Sequence, residues 1–186
     1  MTGSYERVGA GWNPWRVARW AAALGLLLTP LVMMQVSDEW HWGPQSFLAA
    51  GIIIGGLMLI YDLAEKMNES RAYRAGVAVV LLTSFLTIWS TIVRDDGTGI
   101  GFFLVVMAAV AGGFAAWFQS AGMARAMLGV AIMQILYGIA VATAPITAAR
   151  PDGPARALLS AGFFAGLWLI SAAFFRVASR WERQGR

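Results

Sequence analysis

Asp62-Leu-Ala-Glu-Lys-Met-Asn-Glu-Ser-Arg-Ala-Tyr-Arg74 is the only dense charge cluster in the interior of the chain, and a long apolar run lies on either side of it. Phe47 to Tyr61 carries no charge, and neither does Ala75 to Val93. Two such runs joined by a short charged segment read as a membrane hairpin, because about 20 apolar residues in a helix cover the ~30 Å hydrocarbon thickness of a bilayer. The rest of the chain repeats the plan. Apolar runs at about 15–36, 45–63, 73–93, 100–119, 123–144 and 155–175 predict an all-α, polytopic membrane helix bundle of six transmembrane helices in a single domain.

Composition agrees with lipid as the solvent. The 186 residues are 59% hydrophobic and 13% charged, whereas soluble domains carry about 25% charged residues. A net charge of +4 raises nucleic acid as a partner, but the basic residues sit at span ends and form no continuous basic face, so no nucleic acid is expected. The absence of cysteine excludes disulfides, thiolate metal sites and cysteine nucleophiles. The first run ends in Met34-Gln-Val-Ser-Asp-Glu-Trp40, which has no small-x-small cleavage signal, so an uncleaved first helix is expected. Asn13-Pro14 suits its start and Pro30 a kink within it.

An even number of spans places both termini on one side, and the cations choose which. Arg7, Arg16, Arg19, Lys66, Arg71, Arg74, Arg125, Arg176, Arg180, Arg183 and Arg186 fall on the face of the termini, against Arg94, Arg150 and Arg156 on the other. Eleven against three predicts cytoplasmic termini by the positive-inside rule, and a cytoplasmic Asp62–Arg74 turn with them.

Small residues give the clearest pattern inside the spans. Gly51 and Gly55, and Gly162 and Gly166, form GxxxG pairs, and Ala108, Gly112 and Ala116 share that spacing. Each clears one helix face so that another backbone can approach, either within the bundle or from a homo-oligomer or larger membrane complex. Gly55-Gly56 echoes Gly112-Gly113, and Gly76-Val-Ala78 echoes Gly129-Val-Ala131, as a parallel structural repeat would.

The third run carries a polar stripe. Thr83, Thr87, Ser90 or Thr91, and Arg94 are spaced by three and four, hence on one helical face. Such a stripe lines a water-filled path, or its hydroxyls bond the carbonyl one turn back. Gln134 and Tyr137 are further polar groups that interhelical hydrogen bonds explain. No Asp, Glu, Lys, Arg or His lies near the middle of any run, so proton relays lack their usual groups. Asp62 comes closest, either as a partner of Lys66, Arg71 or Arg74 or as a cytoplasmic access point for protons or cations. A single histidine, His41, rules out bis-histidine haem within one chain. An outer metal site from Asp38, Glu39, His41, Asp95 and Asp96 is conceivable but shows no known ligand spacing. With nucleophile, phosphate-loop and zinc-peptidase motifs missing, neither a cofactor nor catalysis is expected.

Asp38-Glu39-x-x-Trp42, Tyr61-Asp62-Leu63-Ala64, Ser70-Arg-Ala-Tyr-Arg-Ala75 and Gly122-Met-Ala-Arg-Ala126 occur in an order that resembles an uncharacterised family of small six-span proteobacterial inner-membrane proteins. The resemblance spans about Trp15 to Phe175 and implies the bacterial inner membrane as location. It carries no activity. This chain departs from it after the third run, where Arg94-Asp-Asp-Gly-Thr-Gly99 replaces a longer loop bearing Asn and Pro. The reading that follows is a non-catalytic membrane protein acting as a packing, oligomerising or auxiliary subunit. The alternatives are a small channel or transporter along the third run and, third, a membrane enzyme with the outer metal site.

Overall fold

The computed structural model describes residues 14–37, 42–94 and 99–184, and among them every regular element is helical. The helices are α1 (Pro14–Val36), α2 (Pro44–Met67), α3 (Arg71–Arg94), α4 (Gly99–Ala115), α5 (Ser120–Thr143), α6 (Pro145–Ala148) and α7 (Gly153–Gln184). Five of them, α1, α2, α3, α5 and α7, are long and apolar enough to cross a membrane, and α4 is a shorter apolar helix. Contacts group the chain into two compact units, residues 1–62 and 63–186, with the boundary inside α2.

In the first unit, proline opens α2 and stands at the start of α1, where its missing amide hydrogen costs nothing. Pro30 lies inside α1, which continues through it to Val36. The two helices meet through side chains. Leu27 reaches the Gly51 position, where a Cβ would lie 3.8 Å from Leu27 Cδ2. Arg16, Arg19 and Trp20 at the start of α1 meet Asp62 near the end of α2, which makes the pair antiparallel.

The second unit is an up-down bundle in which α3 packs on α4, α4 on α5, α5 on α7, and α7 back on α3. Short connections between consecutive helices favour this antiparallel ring. Its core is a stripe from each helix. On α7 the buried positions are Ala161, Phe164, Ala165, Trp168, Ser171, Ala172, Phe175, Ala178 and Ser179, the three-and-four spacing of a seam facing a neighbour. Leu158, Leu159, Phe163, Leu169 and Ile170 on the same helix are exposed, as lipid-facing residues are. Close crossings occur where a side chain would collide. A Cβ on Gly138 would overlap that of Ala161, one on Gly112 would lie 2.9 Å from Ala126 Cβ, and one on Gly76 would lie 3.0 Å from the Phe175 ring. Backbone approach of this kind, with dispersion contacts on both sides, holds helices together where lipid removes the hydrophobic drive.

Several boundaries differ from the sequence reading. The charged segment after Tyr61 is mostly helix: α2 runs through Lys66, α3 begins at Arg71, and Asn68 to Ser70 alone form the turn. Side chains end one helix and start the next there. Asn68 Oδ1 accepts from the Ser70 amide at 2.8 Å, and Ser70 Oγ accepts from the Tyr73 amide at 3.4 Å as the N-cap of α3. The expected fourth run to residue 119 stops at Ala115. Trp117 donates to Phe114 O and Phe118 to Gly113 O, the Schellman pair that closes a helix, and Phe118 packs edge-on against Phe114. Trp117 and Phe118 take φ of 48° and 55°, left-handed positions that glycine usually fills, which is why the stop was not legible. Conversely, α7 continues nine residues beyond Phe175, because no Gly or Pro interrupts 176–184 and Ala178 and Ser179 prolong the buried seam.

Candidate functional site

A polar cluster of three side chains centres on Asp62, whose own side chain is 8% exposed. Arg16 Nε donates to Oδ2 at 2.9 Å and Trp20 Nε1 to the same oxygen at 3.2 Å, while an Arg19 guanidinium nitrogen lies 3.3 Å from Oδ1. Arg19 also stacks 4.7 Å above the Tyr61 ring. The partners of Asp62 are thus on α1, and neither Lys66, Arg71 nor Arg74 pairs with it. An α-helix places residues four apart on one face, but the acceptor at 62 is turned toward α1. Arg74 instead lies 3.8 Å from Glu65 and donates to Glu69 O at 2.6 Å. A carboxylate with both oxygens engaged by cations has its charge balanced locally, and it ties the end of α2 to the start of α1.

The hydroxyl stripe on α3 is satisfied along its own helix. Thr83 donates to Val79 O at 2.7 Å, Thr87 to Thr83 O at 2.8 Å, and Thr91 and Ser90 to Thr87 O at 2.8 and 3.0 Å. Thr83 and Thr87 are buried in the bundle. Ser90 lines a cavity of about 810 Å³ at the end of the bundle that holds the α5–α7 connection, together with Thr147, Arg150, Arg156, Ser160 and Phe102. The Arg94 side chain lies outside the described residues, as do Asp38, Glu39, His41, Asp95 and Asp96, on which the outer metal site was expected. Among the described residues no group of three or more His, Cys, Asp and Glu gathers.

The glycines divide into two sets. Gly112 packs against Ala126, whereas Gly55, Gly162 and Gly166 have no atom within 4 Å of where a Cβ would stand. The crossings at Gly76 and Gly138 fall outside any GxxxG pair, and only the facing residues, Phe175 and Ala161, reveal them. The two sequence echoes also part company: Gly112 is tightly packed and Gly55 open, while Gly76 is tightly packed and Gly129 open.

Sequence reasoning also missed polar contacts within the second unit, among them those of Ser171 and Glu182. Ser171 Oγ on α7 donates to Gly76 O on α3 at 3.0 Å. Glu182 Oε1 accepts from Asn68 Nδ2 at 2.9 Å and from Ser120 Oγ, joining the α2–α3 turn, α5 and α7. Nothing short of the α7 extension past Phe175 could have brought Glu182 there. In the middle of the bundle, both Gln134 amide atoms and Trp168 Nε1 are buried without a hydrogen-bond partner. The interhelical bond expected of Gln134 is therefore not made.

These features define a class: a protein whose described residues form only helices, several of them suited to a membrane, with some polar side chains joining helices and others bonded along their own helix. Comparison with family models, with curated proteins and with solved structures gave no match.

Proposed function

We propose that this is a six-span inner-membrane protein with both termini cytoplasmic, and that it acts as a non-catalytic packing or auxiliary subunit of a membrane assembly, its own copies included. The observation that carries the role is the division among the glycines. The fold consumes Gly76, Gly112 and Gly138 in its own crossings and leaves Gly55, Gly162 and Gly166 open. Backbone left uncovered at GxxxG spacing is the surface on which membrane helices associate. The sixth span would be α4. Its 17 residues extend about 25 Å at 1.5 Å per residue, and its neighbours α3 and α5 are both long enough to cross. The cation bias supports the orientation, and the resemblance stated above supports the inner membrane.

Cysteine is absent from the chain, so single cysteines at positions 55, 162 and 166 give clean disulfide cross-linking in native membranes. Cross-linked species at these positions and none at packed position 138 are expected, with Gly162→Leu and Gly166→Leu reducing the native mass in mild detergent. A strictly monomeric mass with no cross-linked product would overturn the role.

One observation favours a second reading, a small channel or transporter along α3: the 810 Å³ cavity reaches Ser90, one turn from Thr87. Solute flux in liposomes that disappears on Thr83→Val, Thr87→Val and Thr91→Val would establish it. The hydroxyls being engaged along the helix favours the first reading.

A further inference from the structure

A second concavity, of about 360 Å³, lies between α5 and α7 at the end of the bundle opposite the 810 Å³ cavity. Its lining is graded along the helices. Arg125, Arg176 and Arg183 stand toward the helix ends, and Leu128 and Leu169 stand toward the bundle middle, with Ala172 between. The three guanidiniums come from two antiparallel helices: Arg125 is near the start of α5, and Arg176 and Arg183 are near the end of α7. No carboxylate lines the groove. Among the described residues no ion pair engages Arg125 or Arg176, and Arg183 Nε donates only to Ser179 O. The nearest acid on α7, Glu182, is held by Asn68 and Ser120. Leu128 and Leu169 are 43% and 47% exposed, so the apolar part of the groove opens sideways onto the surface where lipid would lie.

We propose that this groove is a binding site for an anionic phospholipid, the headgroup phosphate among Arg125, Arg176 and Arg183 and an acyl chain along Leu128 and Leu169. The charge is complementary, arginine suits phosphate as a planar multiple donor, and basic pockets between membrane helices take such headgroups. A free phosphate would use only the cationic half. The small Ala172 side chain leaves room for a chain between the leucines.

The test is native mass spectrometry of the full-length protein released from nanodiscs of equal phosphatidylglycerol and phosphatidylcholine. Wild type should retain phosphatidylglycerol preferentially. Each arginine removed should lower that preference about fivefold, so that Arg125→Gln with Arg176→Gln nearly abolishes it, while Arg125→Lys with Arg176→Lys keeps part of it. Arg150→Gln with Arg156→Gln, at the other end, should leave it unchanged, and millimolar inorganic phosphate should not displace the lipid. These arginines are exposed, so the variants should keep wild-type helicity. Equal retention of the two lipids, an unchanged preference in the Arg125 and Arg176 double variant, the same loss from the Arg150 and Arg156 control, or displacement by phosphate would each overturn the site.

Discussion

Replacing Asp62 with alanine removes the acceptor shared by Arg16, Arg19 and Trp20, and the cost follows from how far water can replace it. Arg16 is 50% exposed and rehydrates readily, so its loss counts as a surface pair, at most about 1 kcal/mol. Arg19 is 16% exposed and cannot do so fully; a hydrogen bond to a charged partner is worth about 1.5–3 kcal/mol. Part of that is recovered through the Tyr61 ring, which still faces the Arg19 cation. Trp20 is 38% exposed, which leaves its N–H a small contribution. The expected total is about 2–4 kcal/mol, and Asp62→Asn, which keeps an acceptor oxygen and loses the charge, should cost about half as much. Reversible SDS unfolding in mixed micelles, read by tryptophan fluorescence, measures it. Double-mutant cycles identify the partners: coupling of Asp62 with Arg19 should reach about 1–2 kcal/mol and with Lys66 stay within about 0.3 kcal/mol. Loss below about 0.5 kcal/mol on Asp62→Ala, or stronger coupling to Lys66 than to Arg19, would refute the knot.

Two further outcomes are expected in the same assay. Gln134→Leu, which replaces a buried amide lacking partners with an apolar group of similar size, should be neutral or stabilise by about 1 kcal/mol, since an unsatisfied polar group carries its full desolvation cost. A destabilisation of more than about 1 kcal/mol would show that the amide has a partner. Gly138→Ala, whose methyl would overlap Ala161, should destabilise by about 1–3 kcal/mol, whereas Gly129→Ala, in open space, should stabilise by about 0.5–1 kcal/mol through helix propensity. Equal effects at the two glycines would contradict the α5–α7 crossing.

Read alone, the residues determined the helical class and most helix positions, because an uncharged run of some twenty residues is a local property and lipid leaves it one regular structure. The hydroxyl stripe on α3 was legible for the same reason, with Thr83, Thr87 and Ser90 placed by the 3.6-residue period. Helix ends were legible where proline or the onset of a polar stretch stops the apolar run, as at Val36, Arg94 and Thr143. At Trp117-Phe118 the left-handed stop is made by two aromatics, and local propensity points the other way. Which small residues matter depended on the facing helix. Gly138 is closely packed against Ala161, while Gly166, in a better motif, has no atom within 4 Å of where a Cβ would stand. Pairing was likewise a tertiary decision. Asp62 has cations nearby in sequence at Lys66, Arg71 and Arg74, yet its carboxylate meets Arg16 and Arg19, forty-odd residues away. The charged segment after Tyr61 showed by its composition where one apolar run ends and the next begins. The direction its side chains face, and so their partners, came only from which helices fold back beside them.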